Sequence, residues 1–187
     1  MTQIPTPPGT EPHSIEERQR EPYPSLAWVM RKPARIIVFG FGSGLIRPAS
    51  GTWGTLAAWL LWVAAEPFMP SFWAVGLFIA LAFAYGCWAC QQVCRELDVH
   101  DHLGMVWDEI VAFWLVLWLS PPGWWSGLAA FVLFRFFDIA KPPPIKYCDA
   151  RVKGGFGVMF DDILAAAYAI AIMLIAAHFG VFGSWST

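Results

Sequence analysis

The sequence predicts an all-α integral membrane protein, and its composition is the first reason. Hydrophobic residues make up 57% of the chain and charged residues 14%, with a mean hydropathy of +0.51. Soluble domains average roughly 45–50% apolar and about 25% charged residues. The second reason is that the apolar residues fall into separate stretches between turn-forming segments, which predicts about five short transmembrane helices. A chain of 187 residues fits one compact helical unit rather than two domains.

The N-terminal segment differs from the rest of the chain. Residues 1–27 are rich in Pro, Glu, Arg and Gln without apolar periodicity, so we expect a disordered cytoplasmic tail. No apolar stretch follows a short basic start, which argues against a cleavable signal peptide. The run from Ile36 to Ile46 is apolar but shorter than the about 20 residues needed to cross a bilayer. We expect it to be a re-entrant or interfacial segment, or a strand-like loop buried against the protein. Residues 28–187 then form a single membrane-embedded domain.

The five predicted helices are separated by residues that stop helices. A polar turn at 47–52 precedes the first helix and Pro67 follows it. The polar segment 95–104 precedes the third helix, Pro121–Gly123 turns the chain into the fourth, and Pro142–Pro144 end the fourth. The helices are predicted at about 53–65, 72–94, 105–119, 124–140 and 158–179. Several are near the lower length limit for spanning, so four spans remain an alternative.

The basic residues indicate the orientation. With a cytoplasmic N-terminus and five alternating helices, the cytoplasmic segments are 1–52, 95–105 and 141–157. All twelve Lys and Arg lie in these segments or, like Arg135, in the inner half of a helix. The outer loops and the C-terminal residues 180–187 contain none. This positive-inside pattern predicts a multi-pass protein with its N-terminus in the cytoplasm.

Carboxylates gather at the same predicted inner level. Beyond the tail, every acidic residue except Glu66 lies there, and the set is Glu96, Asp98, Asp101, Asp108, Glu109, Asp138, Asp149, Asp161 and Asp162. A solvated cytoplasmic loop requires cations but not this many acids. Because carboxylates at membrane depth are costly, the cluster predicts a functional site.

The chemistry of the cluster favours a metal and a phosphate. Carboxylates without accompanying thiolates suit a hard divalent cation such as Mg²⁺. Arg135, Lys141 and Lys146 are suited to phosphate oxygens, and the glycine-rich 154–157 offers backbone N–H groups at a helix start. The two histidines of segment 97–104, His100 and His102, titrate near neutral pH, although either could be a plain loop histidine. The combination suggests phosphoryl chemistry on a lipid.

Two other sequence patterns, the cysteines and an N-terminal glycine run, give little evidence for a functional site. Cys87, Cys90 and Cys94 share one face of an apolar helix, which favours packing over a metal or redox site. Cys148 is not followed by a phosphatase-type Cys-x5-Arg loop. The glycines of 40–44 lack the G-x-G-x-x-G spacing and a βαβ context, so a nucleotide site is not predicted.

Three blocks of residues carry a family resemblance. The first is 40–45 with 51–56, the second is 100–102 with 106–109, and the third runs from Phe134-Arg135 through Asp161-Asp162-Ile163. Over residues 40 to about 167 the chain resembles the phosphatidylglycerophosphatase A family. One departure is Ser50 in Ala49-Ser50-Gly51-Thr52, where the family has proline.

The resemblance implies Mg²⁺-dependent hydrolysis of phosphatidylglycerophosphate to phosphatidylglycerol and phosphate in glycerophospholipid biosynthesis. It implies a location in the bacterial inner membrane, with the active site at the cytoplasmic face. The expected partners are this lipid substrate and the bilayer, without nucleic acid or an obligatory protein partner.

We expect Glu109, Asp138 and Asp162 to supply most of the metal ligation. Asp108 and Asp161 are expected to support the metal as further direct ligands or as partners of the ligands. Neighbouring side chains on a helix point about 100° apart, so at most one of each acidic pair should face the metal directly. The remaining expected roles are phosphate binding by Arg135 and Lys141, orientation of the phosphate by Lys146, Asp149 and Thr52, and acid or base chemistry by Asp101 or His100, with Asp149 and Asp161 also in the catalytic set.

Two alternatives come from other classes. A CDP-alcohol phosphotransferase is also a small Mg²⁺-dependent membrane enzyme, and Asp149-Ala150-Arg151 matches part of its signature, but the remaining aspartates are absent. A cation or proton transporter would place polar residues at the membrane midplane, often in repeated halves. Here the outer halves of the helices are almost free of ionisable residues. A purely structural membrane protein leaves the acidic cluster unexplained.

Overall fold

The computed structural model describes residues 23–99 and 101–182, and the side chains of residues 149 and 150 lie outside this description. The described residues form helices and turns and contain no strand, which confirms the predicted all-α class. The α-helices are α1 Leu26–Val29, α2 Pro33–Val38, α3 Ser50–Ala65, α4 Phe72–Leu97, α5 Trp107–Leu119, α6 Trp124–Ala140, α7 Ile145–Arg151 and α8 Gly154–His178. Two 3-10 segments, Gly40–Leu45 and Glu66–Phe68, complete the described elements.

The five long helices α3, α4, α5, α6 and α8 correspond to the five predicted ones. The largest difference is at α8, which begins at Gly154 rather than near Val158. It begins earlier because the glycines that suggested a loop instead form its first turn and pack against α4. A second difference is α7, which lies within the predicted loop and directly follows Pro144. Proline is compatible with a helix start because its missing N–H would have no intrahelical partner there.

Two of the helices are long and apolar enough to cross a membrane, α4 with 26 residues and α8 with 25. At 1.5 Å per residue they extend for about 37–39 Å, longer than the about 30 Å hydrocarbon core. Helix α4 also presents large exposed apolar side chains along its outer face, including Trp73, Leu77, Phe78, Leu81 and Trp88. Such a continuous apolar face is typical of contact with lipid.

Helix α8 is the centre of the bundle and packs against α4, α5, α6 and α7. Small residues allow the close approach, because a Cβ added to Gly155 would overlap the carbonyl oxygen of Cys87 on α4. Cys90 and Cys94 are free and buried on the same helix. The burial of Cys90 and Cys94 is consistent with the packing interpretation, and Cys87 is partly buried.

The segment predicted as re-entrant or strand-like is helical and buried against protein. Val38 and Phe39 are fully buried, and the N–H of Val106 donates to the carbonyl oxygen of Val38 over 2.9 Å. The chain turns sharply after α2, with Gly42 at a φ of 101° that favours glycine. Helix α1 begins at Leu26, just inside the predicted tail, and residues 1–22 lie outside the described residues.

Candidate active site

Three helices bring their acidic residues to one place. Asp108 and Glu109 lie in the first turn of α5, Asp138 in the last turn of α6, and Asp161 and Asp162 in the second and third turns of α8. Helices α5 and α6 are consecutive and joined by a short turn, so the start of α5 lies beside the end of α6. The structure thereby assembles acids that are up to 54 positions apart in the chain.

Arg135 links two of these helices. Its Nη1 donates to Glu109 Oε1 over 2.8 Å and to Asp138 Oδ2 over 2.6 Å. The three side chains are only 12–14% exposed, so water screens this network weakly. The guanidinium group lies between two carboxylates that the sequence assigned to a metal.

Lys141 makes a second ion pair at the end of α6. Its Nζ donates to Asp161 Oδ2 over 2.6 Å. Lys141 caps α6 in the left-handed conformation, with a φ of 40°, and such a non-glycine residue costs of order 1–3 kcal/mol. The strained turn holds the ammonium group of Lys141 over the start of α8.

Among the described residues, Asp108 Oδ1, Glu109 Oε2 and Asp162 Oδ2 are buried carboxylate oxygens without a hydrogen-bond partner. Asp162 also interacts electrostatically with the carboxylates of Asp138, Asp108, Asp161 and Glu109. Buried acceptors without donors are uncommon, and an ion that the structure does not contain is one physical explanation.

Asp101 joins the same electrostatic neighbourhood through its interaction with Asp108. Six acids and two cations form this carboxylate cluster: Asp101, Asp108, Glu109, Asp138, Asp161, Asp162, Arg135 and Lys141.

The donor chemistry of this cluster fits Mg²⁺. Within the described residues, no three acidic, histidine or cysteine side chains are arranged as a ready ligand set. Mg²⁺ does not require one, because it commonly takes one or two carboxylates and completes its shell with water and substrate phosphate. The oxygens available are those of Glu109 and Asp162, with Asp108 adjacent and Asp138 bound to Arg135.

Glycines of α3 form one wall of the cluster, a role that the sequence did not reveal. A Cβ added to Gly51 would overlap Glu109 Oε1, and one added to Gly54 would lie 3.1 Å from Glu109 Oε2. Helix α3 therefore approaches the Glu109 carboxylate with its backbone. Only the Gly51-Thr52-Trp53-Gly54 spacing, which puts both glycines near one helix face, could have indicated this.

Ser50 makes a contact that a proline at this position could not make. The Ser50 hydroxyl donates to the carbonyl oxygen of Leu103, in the loop before α5. This bond ties the start of α3 to the segment that leads into Asp108 and Glu109. Thr52 follows on α3, partly buried, and its side chain is not part of the hydrogen bonds that join the cluster.

The structure describes one of the two histidines of the second block, His102. His102 is 2% exposed, accepts from the Gly104 N–H at Nδ1 over 2.9 Å, and packs edge-on against Tyr23. It is enclosed by protein, so its geometry favours a structural role over acid or base chemistry. His100 lies outside the described residues.

Lys146 and the backbone of Gly155 are not part of the cluster. Lys146 is exposed on α7 and makes none of the hydrogen bonds described above. The side chain of Asp149 lies outside the description. The Gly155 N–H, expected to bind phosphate, donates instead to Gln91 Oε1 over 2.9 Å. The hydrogen bond to the Gln91 side chain joins α8 to α4.

Comparison with known proteins places the chain in a family. The family model described as phosphatidylglycerophosphatase A matches residues 36–177. A protein of Haemophilus influenzae named phosphatidylglycerophosphatase A is 48% identical over 145 residues, 75% of this chain and 86% of the relative. Its namesake in Escherichia coli K12 is 38% identical over 151 residues, 80% of this chain and 86% of the relative.

A third relative, from Bacteroides thetaiotaomicron, is provisionally named a phosphatidylinositol-3-phosphatase and is 35% identical over 156 residues, 79% of this chain and 97% of the relative. No solved structure matches the chain. The family match covers well over half of the chain and includes every described member of the carboxylate cluster. The protein belongs to the phosphatidylglycerophosphatase A family of phosphatases.

Proposed function

We propose that this protein hydrolyses the phosphate monoester of phosphatidylglycerophosphate, giving phosphatidylglycerol and inorganic phosphate in glycerophospholipid biosynthesis. The observation that carries the proposal is the carboxylate cluster, in which acids from α5, α6 and α8 meet two cations. Membership in a phosphatase family supplies the reaction class. The names of the two phosphatidylglycerophosphatase relatives supply the substrate.

Mg²⁺ is the proposed cofactor, held by Glu109 and Asp162 with Asp108 and Asp138 in support. When bound, it would polarise the phosphoryl group and neutralise charge that builds up on its oxygens. This assignment is supported by one buried carboxylate oxygen without a hydrogen-bond partner on each of Asp108, Glu109 and Asp162. Carboxylates left without donors in a buried site are ligands for a hard cation.

Arg135 and Lys141 are the proposed phosphate ligands. Arg135 carries five N–H donors, and its Nη1 uses only part of that capacity on Glu109 and Asp138. A planar guanidinium group matches two phosphate oxygens at once, whereas Lys141 acts as a single point of charge. Lys146 and Thr52 are proposed at most as outer contacts, since neither joins the network.

Asp101 is the proposed base. It is partly buried beside Asp108, within the carboxylate cluster. A water that gives its proton to this carboxylate would attack phosphorus while the bond between phosphorus and the glycerol oxygen breaks. The glycerol oxygen takes up a proton and leaves as the hydroxyl of phosphatidylglycerol.

The proposed setting is the bacterial inner membrane, with five helices crossing it and the carboxylate cluster at the cytoplasmic face. Helices α3, α5 and α6, of 13–17 residues, are shorter than α4 and α8 and would cross a locally thin or water-indented region. The positions of all twelve Lys and Arg support this orientation. Residues 28–187 would form the catalytic domain.

A second candidate substrate is a phosphomonoester on another lipid headgroup. The name of the Bacteroides thetaiotaomicron relative, a phosphatidylinositol-3-phosphatase, favours including it. All three relatives are named as phosphatases, which favours hydrolysis over a CDP-alcohol transfer or ion transport.

The test is phosphate release by the purified, detergent-solubilised protein. We expect release from phosphatidylglycerophosphate with Mg²⁺, none with EDTA, and a loss of at least about 1,000-fold in Asp162→Asn, as for removal of a group that acts directly on the transition state. Asp98→Asn is the matched control, because Asp98 is an exposed carboxylate capping α4, and it should keep full activity. Folded protein without release under Mg²⁺ or Mn²⁺ would overturn the proposal, and phosphatidylinositol 3-phosphate tests the second substrate.

A further inference from the structure

At the end of the bundle opposite the carboxylate cluster there is a cavity of about 480 Å³. It lies between the end of α3, the start of α4, the end of α5 and the start of α6. Helix α5 connects the two places, and its 13 residues separate them by about 20 Å. The volume is in the range of ligand pockets, about 300–1,000 Å³. Nothing in the proposed hydrolysis uses it.

The walls of this aromatic cavity are mainly rings. Trp59 stacks on Trp124 with ring centroids 4.8 Å apart, and Phe72 lies against Trp118 with centroids 4.5 Å apart. Trp62 adds a fifth ring to the lining. The negative faces of aromatic rings attract cations, and an aromatic box is a common way to bind an ammonium group.

Among the described residues, Glu66 is the only ionisable one that lines the cavity. The sequence contains no Lys or Arg between positions 48 and 94 or between 110 and 134, so no cation from the helices around the cavity is available to this carboxylate. The electrostatic character of the cavity is therefore negative, which complements a positively charged ligand.

Two donors complete the lining. The Trp118 Nε1 and the Ser120 Oγ are buried and have no hydrogen-bond partner in the described structure, and Ser120 is 7% exposed. The indole N–H can only donate, so a ligand that satisfies it must offer an acceptor. The cavity thus presents a site for a cation and, beside it, donors for an oxygen.

The position of the cavity at one end of the bundle indicates the source of its ligand. Phe68, Trp73, Trp124 and Trp125 at this end are 66–84% exposed. Exposed aromatic residues at the end of a membrane bundle are typical of the interface at which lipid headgroups lie.

We propose that the aromatic cavity binds the headgroup of a zwitterionic, amine-bearing phospholipid. The ammonium group lies among the rings beside Glu66, and a phosphate oxygen accepts from Trp118 Nε1 and Ser120 Oγ. The acyl chains lie along the exposed apolar face of α4. The site binds this lipid without chemical change and is separate from the reaction at the carboxylate cluster.

The test measures lipid binding to delipidated full-length protein by native mass spectrometry. The probes are phosphatidylethanolamine and its N-acetyl derivative with the same acyl chains, which differ in the ammonium charge. We expect phosphatidylethanolamine to bind about tenfold more tightly, a difference of about 1.4 kcal/mol. Glu66→Gln should reduce this preference, and Ser120→Ala should weaken the binding of both lipids. Asp98→Asn removes an exposed carboxylate at the other end of α4 and should retain wild-type binding.

Equal binding of the two lipids to the wild-type protein, or an undiminished preference in Glu66→Gln, would overturn the proposal. Soluble glycerophosphoethanolamine at the concentration of the lipid should leave the lipid bound, because it lacks the apolar chains. Displacement would identify a soluble ligand and overturn the lipid assignment. Since Glu66 is exposed and the readout is binding, these outcomes are independent of phosphatase activity.

Discussion

The two ends of helix α5 leave opposite kinds of polar atoms open. At its start, in the carboxylate cluster, the buried atoms without partners include the carboxylate oxygens of Asp108 and Glu109, which are acceptors. At its end they are the Trp118 Nε1, a donor, and the Ser120 hydroxyl. The first set can be satisfied by a cation and the second by a ligand oxygen. One helix therefore carries unpartnered polar atoms of opposite chemistry at its two ends.

The two ends also differ in how buried charge is compensated. Glu109 and Asp138 share one guanidinium group, and Asp161 has the ammonium group of Lys141. The aromatic cavity has rings and no cation. Substitutions at the carboxylate cluster should consequently change both stability and activity, whereas those at the aromatic cavity should leave phosphate release nearly unchanged.

Arg135→Ala should have the largest effect. It removes the shared partner of Glu109 and Asp138, and leaving buried charge uncompensated costs about 3–5 kcal/mol. We expect a large fall in the thermal unfolding temperature in detergent and a loss of phosphate release of at least about 1,000-fold. The control is Arg95→Ala, an exposed arginine at the end of α4, which should change stability by less than about 0.5 kcal/mol.

An unchanged unfolding temperature in Arg135→Ala would contradict the idea that ion pairs hold the carboxylate cluster together without metal. A fall in the unfolding temperature that Mg²⁺ partly reverses would support the idea, because a bound cation would then replace the lost charge of Arg135.

Gly51→Ala should have an intermediate effect, seen mainly in activity. The new Cβ would overlap Glu109 Oε1, so the carboxylate or α3 must shift. A displacement near 1 Å in a catalytic constellation can cost about 100-fold in rate. Steady-state phosphate release measures this, with Ala64→Val as the control that adds bulk at the exposed far end of α3. Equal activities of the two variants would show that the Gly51 wall is not required.

The smallest effect should come from Ser126→Ala near the aromatic cavity. The Ser126 hydroxyl is buried, and no described residue pairs with it, so its removal should change the free energy of unfolding by less than about 0.5 kcal/mol or stabilise the protein. Ser50→Ala deletes a hydroxyl that does have a partner, the Leu103 carbonyl, and should cost about 1 kcal/mol. Chemical denaturation in detergent compares the two, and a larger cost at Ser126 would contradict the contrast.

Much of the fold and of the cluster could be predicted from local signals. Apolar stretches between prolines indicated the five long helices, and acids at the helix ends indicated that α5, α6 and α8 meet. The partners could not be predicted, because they depend on how the helices approach. Gln91 and Gly155 are 64 positions apart, and nothing local indicates their hydrogen bond. For the same reason the carboxylates assigned to metal were not expected to share Arg135.

The aromatic cavity was not predicted from the sequence, and the reason is general. A tryptophan on a membrane helix has the same appearance in a sequence whether it faces lipid or a pocket. Trp59 is 8% exposed and Trp124 is 66% exposed, although the two rings stack on each other. Only the packing of α3 against α6 distinguishes them.

The pairing of Glu109 with Arg135 has a consequence for biosynthesis. The two residues are 26 positions apart on consecutive helices, so their charges can meet once α6 has been synthesised, before α8 exists. Lys141 comes next in the chain, and its partner Asp161 follows 20 positions later. Glu109, Asp138 and Asp161 are thus each followed or preceded in the chain by the cation that pairs with them. The order of the sequence allows the growing chain to bring Glu109, Asp138 and Asp161 together with their cations as each helix is completed.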